Sequence, residues 1–472
     1  MKKKSFRYQQ VATKVEESIR LQQLRPGDKI ASVRKVSEEL NVSVNTVFQA
    51  YSILEAKGLI FSKPKSGYII RPTADAATAA PDKNIVCLPA NVEVSLMAAA
   101  MMKNARERGI VNLSILAPVN ELLPISQLNR QAIAALHDAA SENHQYPLVD
   151  GHARLLKQLA RKTFDWQHSI DQQQILVTNG CMEAVNLCLD AIARPGDIIA
   201  VESPTYHGIL QSLEQRGLRA LEIGIDPVTG LNIADLERAL DNNKITACVF
   251  MPSCHQPTGA SMPEAQKIAL VSLLGKRKIP MIEDDALGEL CFREGVYPAK
   301  AYDKHNNVLY CSSFSKTLAP GFRVGWVSAG QRHTLLEKIK FASNISTNGV
   351  LQDGIARYLE TGHYEKHIRK MRLDLQIQMG KYLQAIIKYF PHDIKVAAPQ
   401  GGLSLWIQLS PKIDAFQLQK TVLQKGIGIC PGHIFSASEF FHNFIRINYC
   451  PLWNSKIEKT IKILGKEIAA LA

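Results

Sequence analysis

The sequence predicts a small helical domain with a terminal hairpin, followed by a large α/β domain. Three observations support this division. The chain has 472 residues, of which 46% are hydrophobic and 21% charged, which is more than one ordinary domain needs. Residues 73–82 read TADAATAAPD, a linker composition without an apolar period. From about residue 110, apolar strand-like runs alternate with helical ones.

The composition excludes several classes of protein. It is ordinary for a globular chain, so wholesale disorder and collagen are excluded. The sequence has no apolar run of about 18 residues, so no membrane-spanning helix is predicted. The basic start, Met1–Lys4, is followed by polar residues, so we do not interpret it as a signal peptide. Nine cysteines without a Cys-x-x-Cys spacing argue against a disulfide framework and against a zinc site, and they fit a reducing cytoplasm.

The positive charge is concentrated at the start of the chain. The formal net charge is +13, and residues 1–72 carry 14 Lys and Arg against 6 Asp and Glu. A compact basic segment before a nearly balanced body indicates a nucleic-acid-binding module. A basic, solvated terminus is the alternative interpretation.

The first 72 residues predict three helices and a hairpin. An apolar stripe predicts the first helix, with Val11, Val15, Ile19 and Leu24. Ser32 can cap a second helix that Asn41 ends, and Ser43 can cap a third that Gly58 closes. The runs 59–61 and 68–70 flank a basic hairpin tip. This order is typical of a winged helix-turn-helix.

A winged helix-turn-helix places its third helix, here residues 43–56, in the major groove of double-stranded DNA. Early side chains of that helix would reach base edges, and basic side chains of the wing would contact phosphates. The predicted DNA-binding residues are Arg34, Ser43, Val44, Asn45, Thr46, Gln49, Lys63 and Lys65. A winged helix that contacts protein is the alternative.

Residues 25–70, RPGDKIASVRKVSEELNVSVNTVFQAYSILEAKGLIFSKPKSGYII, resemble the N-terminal domain of the GntR family of bacterial repressors. The resemblance covers about residues 8–72. The sequence departs from the family at two positions. Ala31 stands where the family usually has proline, and Val44 stands where it usually has a base-reading arginine.

The rest of the chain predicts a mostly parallel sheet with ligands at the strand ends. The predicted strands are 174–178, 198–202, 247–251, 281–284, 308–311 and 325–327, and helices include 182–192 and 264–274. No G-x-G-x-x-G opens a helix and no G-x-x-x-x-G-K-[ST] is present. Dinucleotide and Walker nucleotide sites are therefore not predicted.

Residues 312–325, SSFSKTLAPGFRVG, place a lysine among hydroxyl residues with an arginine seven positions later. This set suits an aldehyde cofactor that carries a phosphate. Lys316 would form a Schiff base, and Ser313 and Arg323 would hold the phosphate, as pyridoxal 5'-phosphate (PLP) requires. A solvated lysine in a loop is the alternative.

Four other strand ends support this interpretation. Asp284 can hold the pyridine nitrogen protonated. The backbone N–H groups of Cys181 and Met182 begin a helix and can bind phosphate. Tyr206 can stack on the ring, and Gln256 lies in a polar loop beside the ring oxygen.

In this order, residues 100–470 resemble the aspartate-aminotransferase-like fold, PLP fold type I. With the GntR-like head, and with GHYEKHIRKMRLDLQ at 362–376, the whole chain resembles the MocR subfamily of transcriptional regulators. The resemblance implies that Lys316 is the catalytic, Schiff-base lysine. It also implies that Tyr146 reaches the phosphate across a homodimer and that Arg446 binds a substrate α-carboxylate.

The resemblance has two departures. Gln256 stands where the fold usually has asparagine, and Ala286 and Leu287 occupy the positions where a tyrosine is expected. We therefore expect at most weak transaminase activity. His363 and His367 are four apart on a helix, but the intervening sequence fails the zincin pattern, so no metal site is predicted.

These inferences predict a cytoplasmic regulator that binds a double-stranded DNA operator and an amino-group-bearing effector. We expect a homodimer and no membrane contact. The predicted domains are 1–72, a linker at 73–95 and 96–472, with a large subdomain at about 140–335 and a small one from 96–139 and 336–472. The alternatives are an active aminotransferase with an appended DNA-binding domain and a regulator that responds to a protein partner.

Overall fold

The computed structural model describes residues 7–20, 28–56, 59–63, 67–70, 88–104, 109–138, 145–438 and 440–471. The described chain divides into two compact units, an N-terminal one whose boundary falls at residue 76 and a second one that contains the rest of the chain except residues 380–384. Among the described residues, no helix combines the length and the apolar character that crossing a membrane requires.

The N-terminal unit is a winged helix-turn-helix, as predicted. Its elements are α1 (Arg7–Arg20), α2 (Val33–Glu39), α3 (Val44–Ala56), β1 (Ile60–Lys63) and β2 (Gly67–Ile70). The Ser32 hydroxyl accepts the Lys35 N–H at 3.3 Å and so caps α2. Asn41 follows α2 with a φ of 48°, the left-handed conformation that ends helices. Leu24, Gly58 and Lys65 lie outside the described residues.

A small apolar core holds this unit together. The buried side chains come from all five elements and the chain before α2: Val11, Ala12, Ile30, Val36, Val47, Ala50, Tyr51, Leu54, Ile60 and Ile70. The hydroxyl of Tyr51 donates to the Ala31 carbonyl at 2.8 Å, so this buried phenol is satisfied. Strands β1 and β2 pair antiparallel with Ile60 opposite Ile70.

The second unit contains the remaining helices and strands. The helices are α4 (Ser95–Asn104), α5 (Ile125–Asp138), α6 (Ala153–Lys162), α7 (Cys181–Ile192), α8 (His207–Gln215), α9 (Ile233–Asn242), α10 (Glu264–Lys276), α11 (His333–Asn344), α12 (Gly349–Glu360), α13 (His363–Tyr389), α14 (Ala415–Gln424) and α15 (Ser455–Leu471). The strands are β3 (Val111–Asn112), β4 (Ile175–Thr178), β5 (Ile198–Ser203), β6 (Arg219–Asp226), β7 (Gly230–Leu231), β8 (Ile245–Phe250), β9 (Met281–Asp284), β10 (Val308–Ser313), β11 (Gly325–Ser328), β12 (Lys395–Val396), β13 (Ser404–Gln408), β14 (Ile427–Gly428), β15 (Cys430–Pro431) and β16 (Phe444–Asn448).

The main sheet has eight strands in the order β4-β11-β10-β9-β8-β5-β6-β7. Strands β6, β5, β8, β9 and β10 are parallel, while β11 and β7 run against their neighbours. Adjacent residues of one strand enter different cores, as Ala200 and Val201 of β5 do, because side chains alternate across a sheet. Both faces are therefore covered, and the predicted α/β domain is confirmed.

A second, antiparallel sheet has the order β12-β13-β16-β15, and β3 pairs with β14. The β3 pairing brings the chain around residue 111 beside Ile427, far along the sequence. Part of the predicted linker at 73–95 also belongs to this unit. Ala90 exchanges two backbone hydrogen bonds of 2.9 Å with Ala220, and Val92 and Val94 are buried in the core. The chain is therefore already packed against the second unit before residue 95.

Candidate functional site

The predicted site residues of the second unit, except Tyr146, converge at the carboxyl edge of the main sheet. Strands β4, β5, β8, β9 and β10 all end there, and β11 begins there. This edge borders a cavity of about 360 Å³. The residues that line the cavity include Ser114, Leu116, Cys181, Met182, Tyr206, His207, Gln256, Asp284, Ala286, Leu287, Ser313, Ser315, Lys316, Arg323 and Arg446. Ligands of open α/β sheets bind at this edge.

Lys316 lies three residues beyond the end of β10 and lines the cavity. Its Nζ donates to the backbone carbonyl of Leu116 at 2.5 Å. Burial, with the nearby charge of Arg446, lowers the pKa of Lys316 to about 8. An amine with this pKa is neutral far more often at neutral pH than an ordinary lysine, so it is available as a nucleophile.

Asp284 ends β9 on the same edge. Its Oδ1 accepts the Cys181 thiol at 3.2 Å and the Ala286 N–H at 3.1 Å. Burial raises the pKa of Asp284, and both hydrogen bonds and the charge of Lys316 oppose that shift. A buried carboxylate at this place can bind a protonated ring nitrogen.

An anion-binding cup forms where β4 meets α7. Gly180 precedes α7 with a φ of 91°, and it offers no side chain to cap the N–H groups at the start of that helix. Arg323 lies against this turn and donates to the Asn179 carbonyl at 3.0 Å and to the Ser315 hydroxyl at 3.1 Å. Ser313, which pairs with Gly325 across β10 and β11, lines the same cavity. This cup suits a phosphate group.

Gly180 is required because Arg323 occupies the space of a side chain. A Cβ at Gly180 would overlap Nη2 of Arg323. We expect Gly180→Ala to displace the guanidinium and to weaken phosphate binding at least tenfold, measured as PLP retained after gel filtration. Gly196→Ala is the matched control, because Gly196 has a φ of 90° and no described atom lies within 4 Å of the place that its Cβ would take. Equal PLP retention by both variants would contradict the assigned role of Arg323.

Tyr206 and Gln256 line the cavity from the loops after β5 and β8. The Tyr206 ring lies 4.7 Å from that of His207, and both follow β5 directly. The Gln256 Nε2 is buried and has no hydrogen-bond partner among the described residues. A buried amide donor without a partner is costly unless a ligand satisfies it. The predicted place of Gln256 beside a bound ring therefore fits this structure.

Arg446 lies in the middle of β16 and is 1% exposed. Its Nη2 donates to the Ser114 carbonyl, and its guanidinium lies 5.2 Å from the Phe435 ring centroid. Its Nε and Nη1 are buried and have no partner in the described part of the chain. Burial and the charge of Arg446 lower the pKa of His207 to about 4, so this neighbour is neutral. A buried guanidinium with two free donors in a cavity is suited to a carboxylate.

The N-terminal unit presents the early residues of α3 to solvent. Val44, Asn45, Phe48 and Gln49 are exposed, as is Arg34 of α2. Ser43 and Thr46 instead bond to each other: their hydroxyls lie 2.8 Å apart, and the Thr46 N–H donates to the Ser43 hydroxyl at 3.1 Å. Lys63 ends β1, and Lys65 lies outside the described residues.

Comparison with known families assigns both parts of the chain. The profile described as "Bacterial regulatory proteins, gntR family" matches residues 7–70, and "Aminotransferase class I and II" matches residues 110–464. The chain is 35% identical to the HTH-type transcriptional regulator YdcR of Escherichia coli K12 over 98% of its own length and 99% of that protein. It belongs to the MocR-type regulators of the GntR family.

Other relatives of this MocR-type regulator agree with both assignments. A second Escherichia coli K12 protein, the HTH-type transcriptional regulator YjiR, is 35% identical over 98% of each chain. The multiple substrate aminotransferase of Thermococcus profundus superposes with a TM-score of 0.74 at 26% identity, covering 79% of this chain and 94% of that one. Pyrococcus horikoshii kynurenine aminotransferase in complex with PMP superposes with a TM-score of 0.73 at 27% identity, again covering 79% of this chain and 94% of that one.

The residues of this MocR-type chain fit PLP. The fold family is PLP-dependent, and the cavity is lined by a half-buried amine, a buried carboxylate and a cup for an anion. The predicted set Lys316, Asp284, Arg323, Ser313, Tyr206, Cys181, Met182, Gln256 and Arg446 is brought together in one cavity. Tyr146 is 84% exposed and does not line the cavity. Its role across a dimer stays a prediction.

The sequence did not indicate several features of the MocR-type site. The Ser315 hydroxyl accepts a hydrogen bond from Arg323. Its position one residue before Lys316 is the sequence feature that could have indicated this role. The Leu116 carbonyl contacts Lys316, and the Ser114 carbonyl and the Phe435 ring contact Arg446, yet no sequence motif marks these partners. Among the described lining residues Tyr206 is the single tyrosine, because Ala286 and Leu287 supply no hydroxyl.

The sequence predicted no disulfide framework, and the structure pairs two cysteines that it did not single out. Cys254, which lines the cavity, is bonded to Cys291, with their Cα atoms 5.9 Å apart. Backbone contacts that join distant segments produce this proximity, since Cys291 bridges to Gly401 and Gly401 packs against the Cys254 sulfur. Spacing along the sequence does not reveal such a pair.

Proposed function

We propose that this chain is a cytoplasmic, DNA-binding transcriptional regulator that holds PLP and senses an amino compound. The observation that carries the proposal is the presence, in one chain, of a winged helix-turn-helix and a cavity lined by a half-buried lysine, a buried carboxylate, an anion cup and a buried arginine. Relatives that match nearly the whole chain carry the name of HTH-type transcriptional regulators.

Each part of the cavity would hold a different part of PLP. Arg323, Ser313 and the N-terminus of α7 would bind the phosphate, and Asp284 would bind the ring nitrogen. When bound, PLP supplies an aldehyde that reacts with amines and a ring that withdraws electrons. Lys316 would attach to the aldehyde at rest and exchange a proton with an incoming amine, for which a pKa of about 8 is well matched.

Arg446 would select effectors that carry a carboxylate or a similar anion. Its Nε and Nη1 donors are buried without partners among the described residues, and a bidentate anion would satisfy both. Amino acids and amines of the GABA or taurine type have an amine and an anionic group at different separations. None of these is favoured by the residues of the cavity.

A homodimer would couple the cavity to DNA. The two winged helix-turn-helix domains of the dimer would read a repeated or palindromic operator. Effector binding would change the relative placement of these domains only if the effector prefers one conformation of the protein. Tyr146 is exposed in the single chain, as a residue that reaches a partner's phosphate would be. Allosteric coupling of this kind typically changes affinity about 5–150-fold.

An active aminotransferase is the second candidate function. It is favoured by the cavity's Lys316, Asp284 and Arg323 and by structural neighbours that are aminotransferases. The lack of a tyrosine at Ala286 or Leu287 argues against rapid turnover. Sustained transfer from an amino donor to a keto acid at more than about 1 per second, a typical enzyme rate, would favour this candidate.

DNA selection tests the regulatory function. The PLP-loaded, full-length protein is used to select duplexes from a random pool, and binding to the selected and to scrambled duplexes is measured at several salt concentrations. We expect a preference of at least about 10³-fold for the selected duplex and a steep loss of affinity as salt rises. Equal binding to all duplexes would overturn the proposed function.

The pKa of Lys316 predicts the pH dependence of PLP attachment. The attacking form is the neutral amine, and its fraction increases about tenfold per pH unit below the pKa and levels off above it. With a pKa of about 8, we expect the rate at which added PLP attaches to PLP-free protein to rise from pH 6 to pH 8 and then flatten. Stopped-flow absorbance measures this rate. A rise that continues to pH 10 would mean that the amine is an ordinary, solvated lysine.

A further inference from the structure

The exposed face of α3 carries two large apolar side chains one helical turn apart. Val44 is 49% exposed and Phe48 is 56% exposed, while Val47, Ala50 and Leu54 of the same helix are buried in the core. Residues at i and i+4 are neighbours on a helix surface. Val44 and Phe48 therefore form an apolar strip on the face that a winged helix presents to the major groove.

Two amides lie beside this strip. Asn45 and Gln49 are also exposed and also one turn apart, so the face consists of a row of apolar groups next to a row of amides. The hydroxyls of Ser43 and Thr46 bond to each other at the start of the helix and serve as its cap. In the first two turns of α3, the exposed side chains left to contact bases are the two amides and the two apolar groups.

Helix α3 lacks the side chains that most often recognise guanine. Residues 43–56 contain neither arginine nor lysine. Guanine is usually recognised by a bidentate arginine or lysine on its O6 and N7 atoms. Asparagine and glutamine instead match the N6 and N7 atoms of adenine, and apolar side chains match the 5-methyl group of thymine. An A·T base pair presents both features in the major groove.

We propose that α3 reads A·T base pairs, with Asn45 and Gln49 on adenine edges and Val44 and Phe48 against thymine methyl groups. This inference rests on the proposed DNA-binding function and adds the chemistry of the bases that the helix recognises. Phe48 becomes a specificity-determining residue, although the sequence did not indicate it as a DNA contact.

The experiment removes only the methyl groups. Full-length, PLP-loaded protein first selects its duplex, and each thymine of the selected half-site is then replaced in turn by deoxyuridine, which pairs identically. We expect A·T pairs at the core of the half-site. We also expect affinity, measured by fluorescence anisotropy, to fall about fourfold per contacted methyl group, as the burial of one methyl group implies.

Phe48→Ala identifies the side chain responsible. We expect this variant to bind the thymine duplex at least fivefold more weakly than the wild type and to lose the difference between thymine and deoxyuridine at one or more positions. Its thermal unfolding should match that of the wild type because Phe48 is exposed. Ser52→Ala, a change on the next turn of the same face, should keep the full difference.

The outcomes separate this inference from the function it rests on. If no duplex is bound more tightly than random DNA, the proposed regulatory function fails. If a specific duplex is bound but its core is G·C, or if deoxyuridine changes affinity less than twofold everywhere, the function stands and the reading of A·T pairs is overturned.

Discussion

Replacement of Lys316 by alanine will remove the covalently held cofactor. We expect the wild type to be yellow and the variant to lose its near-visible absorbance after gel filtration. Lys316 is the one lysine among the described residues that line the cavity, and its amine has a pKa of about 8. No other described amine is placed to take over the attachment. Absorbance spectra and intact mass after borohydride reduction measure the result.

Lys338→Ala is the control for this change. Lys338 lies on α11, is exposed and does not line the cavity, so this variant should keep the full absorbance. A Lys316→Ala protein that keeps a reducible, covalent cofactor would show that attachment occurs elsewhere. A wild type that stays colourless with added PLP would mean that Gln256, Ala286 and Leu287 belong to a cavity that has lost the cofactor.

Arg446→Ala will abolish the response to carboxylated amines. Two donors of Arg446 are buried and unpartnered among the described residues, so a carboxylate there would form a desolvated, charge-assisted pair. Truncation of one partner of such a pair typically costs about 2–5 kcal/mol, which corresponds to roughly 30-fold to more than 10³-fold in affinity. Spectral titration of PLP-loaded protein with amino acids measures this loss.

A matched pair of ligands isolates the role of Arg446. An amino acid and the amine that lacks its carboxylate should differ strongly in affinity for the wild type and little for Arg446→Ala. PLP retention should be the same in both proteins, because Arg446 is not among the residues assigned to the cofactor. An unchanged difference between the two ligands would show that the carboxylate binds at another cation.

The sequence predicted the main sheet well because its strands are buried on both faces. The runs at 247–251 and 308–311 are continuous apolar stretches that are followed at once by Pro252-Ser253 and by Ser312-Ser313, which is typical of parallel strands. Strand β6 (Arg219–Asp226) was not predicted, since Arg219, Glu222 and Asp226 interrupt its apolar pattern. Glu222 is buried, and its carboxylate accepts hydrogen bonds from the hydroxyls of Ser203 and Ser436. These partners make a buried glutamate acceptable in the strand, and only the folded structure brings them together.

The candidate site was predictable where its residues follow strand ends in local motifs. Lys316, Arg323 and Asp284 are of this kind. The contacts of Lys316 with the Leu116 carbonyl and of Arg446 with the Ser114 carbonyl join residues 200 and 332 positions apart. Backbone acceptors carry no side-chain signal, so no sequence pattern reveals these contacts. Phe48 was missed for a different reason, because an apolar residue on a helix is ordinarily assigned to the core.

One titration tests most directly whether amine binding in the cavity is coupled to operator binding. The affinity of PLP-loaded protein for its selected duplex is measured with and without each L-amino acid, GABA and taurine, while the near-visible spectrum reports amine binding. We predict that at least one amine changes the affinity at least fivefold and that the duplex changes the affinity for that amine by the same factor. Amines that alter the spectrum but leave the affinity for DNA unchanged would contradict the account.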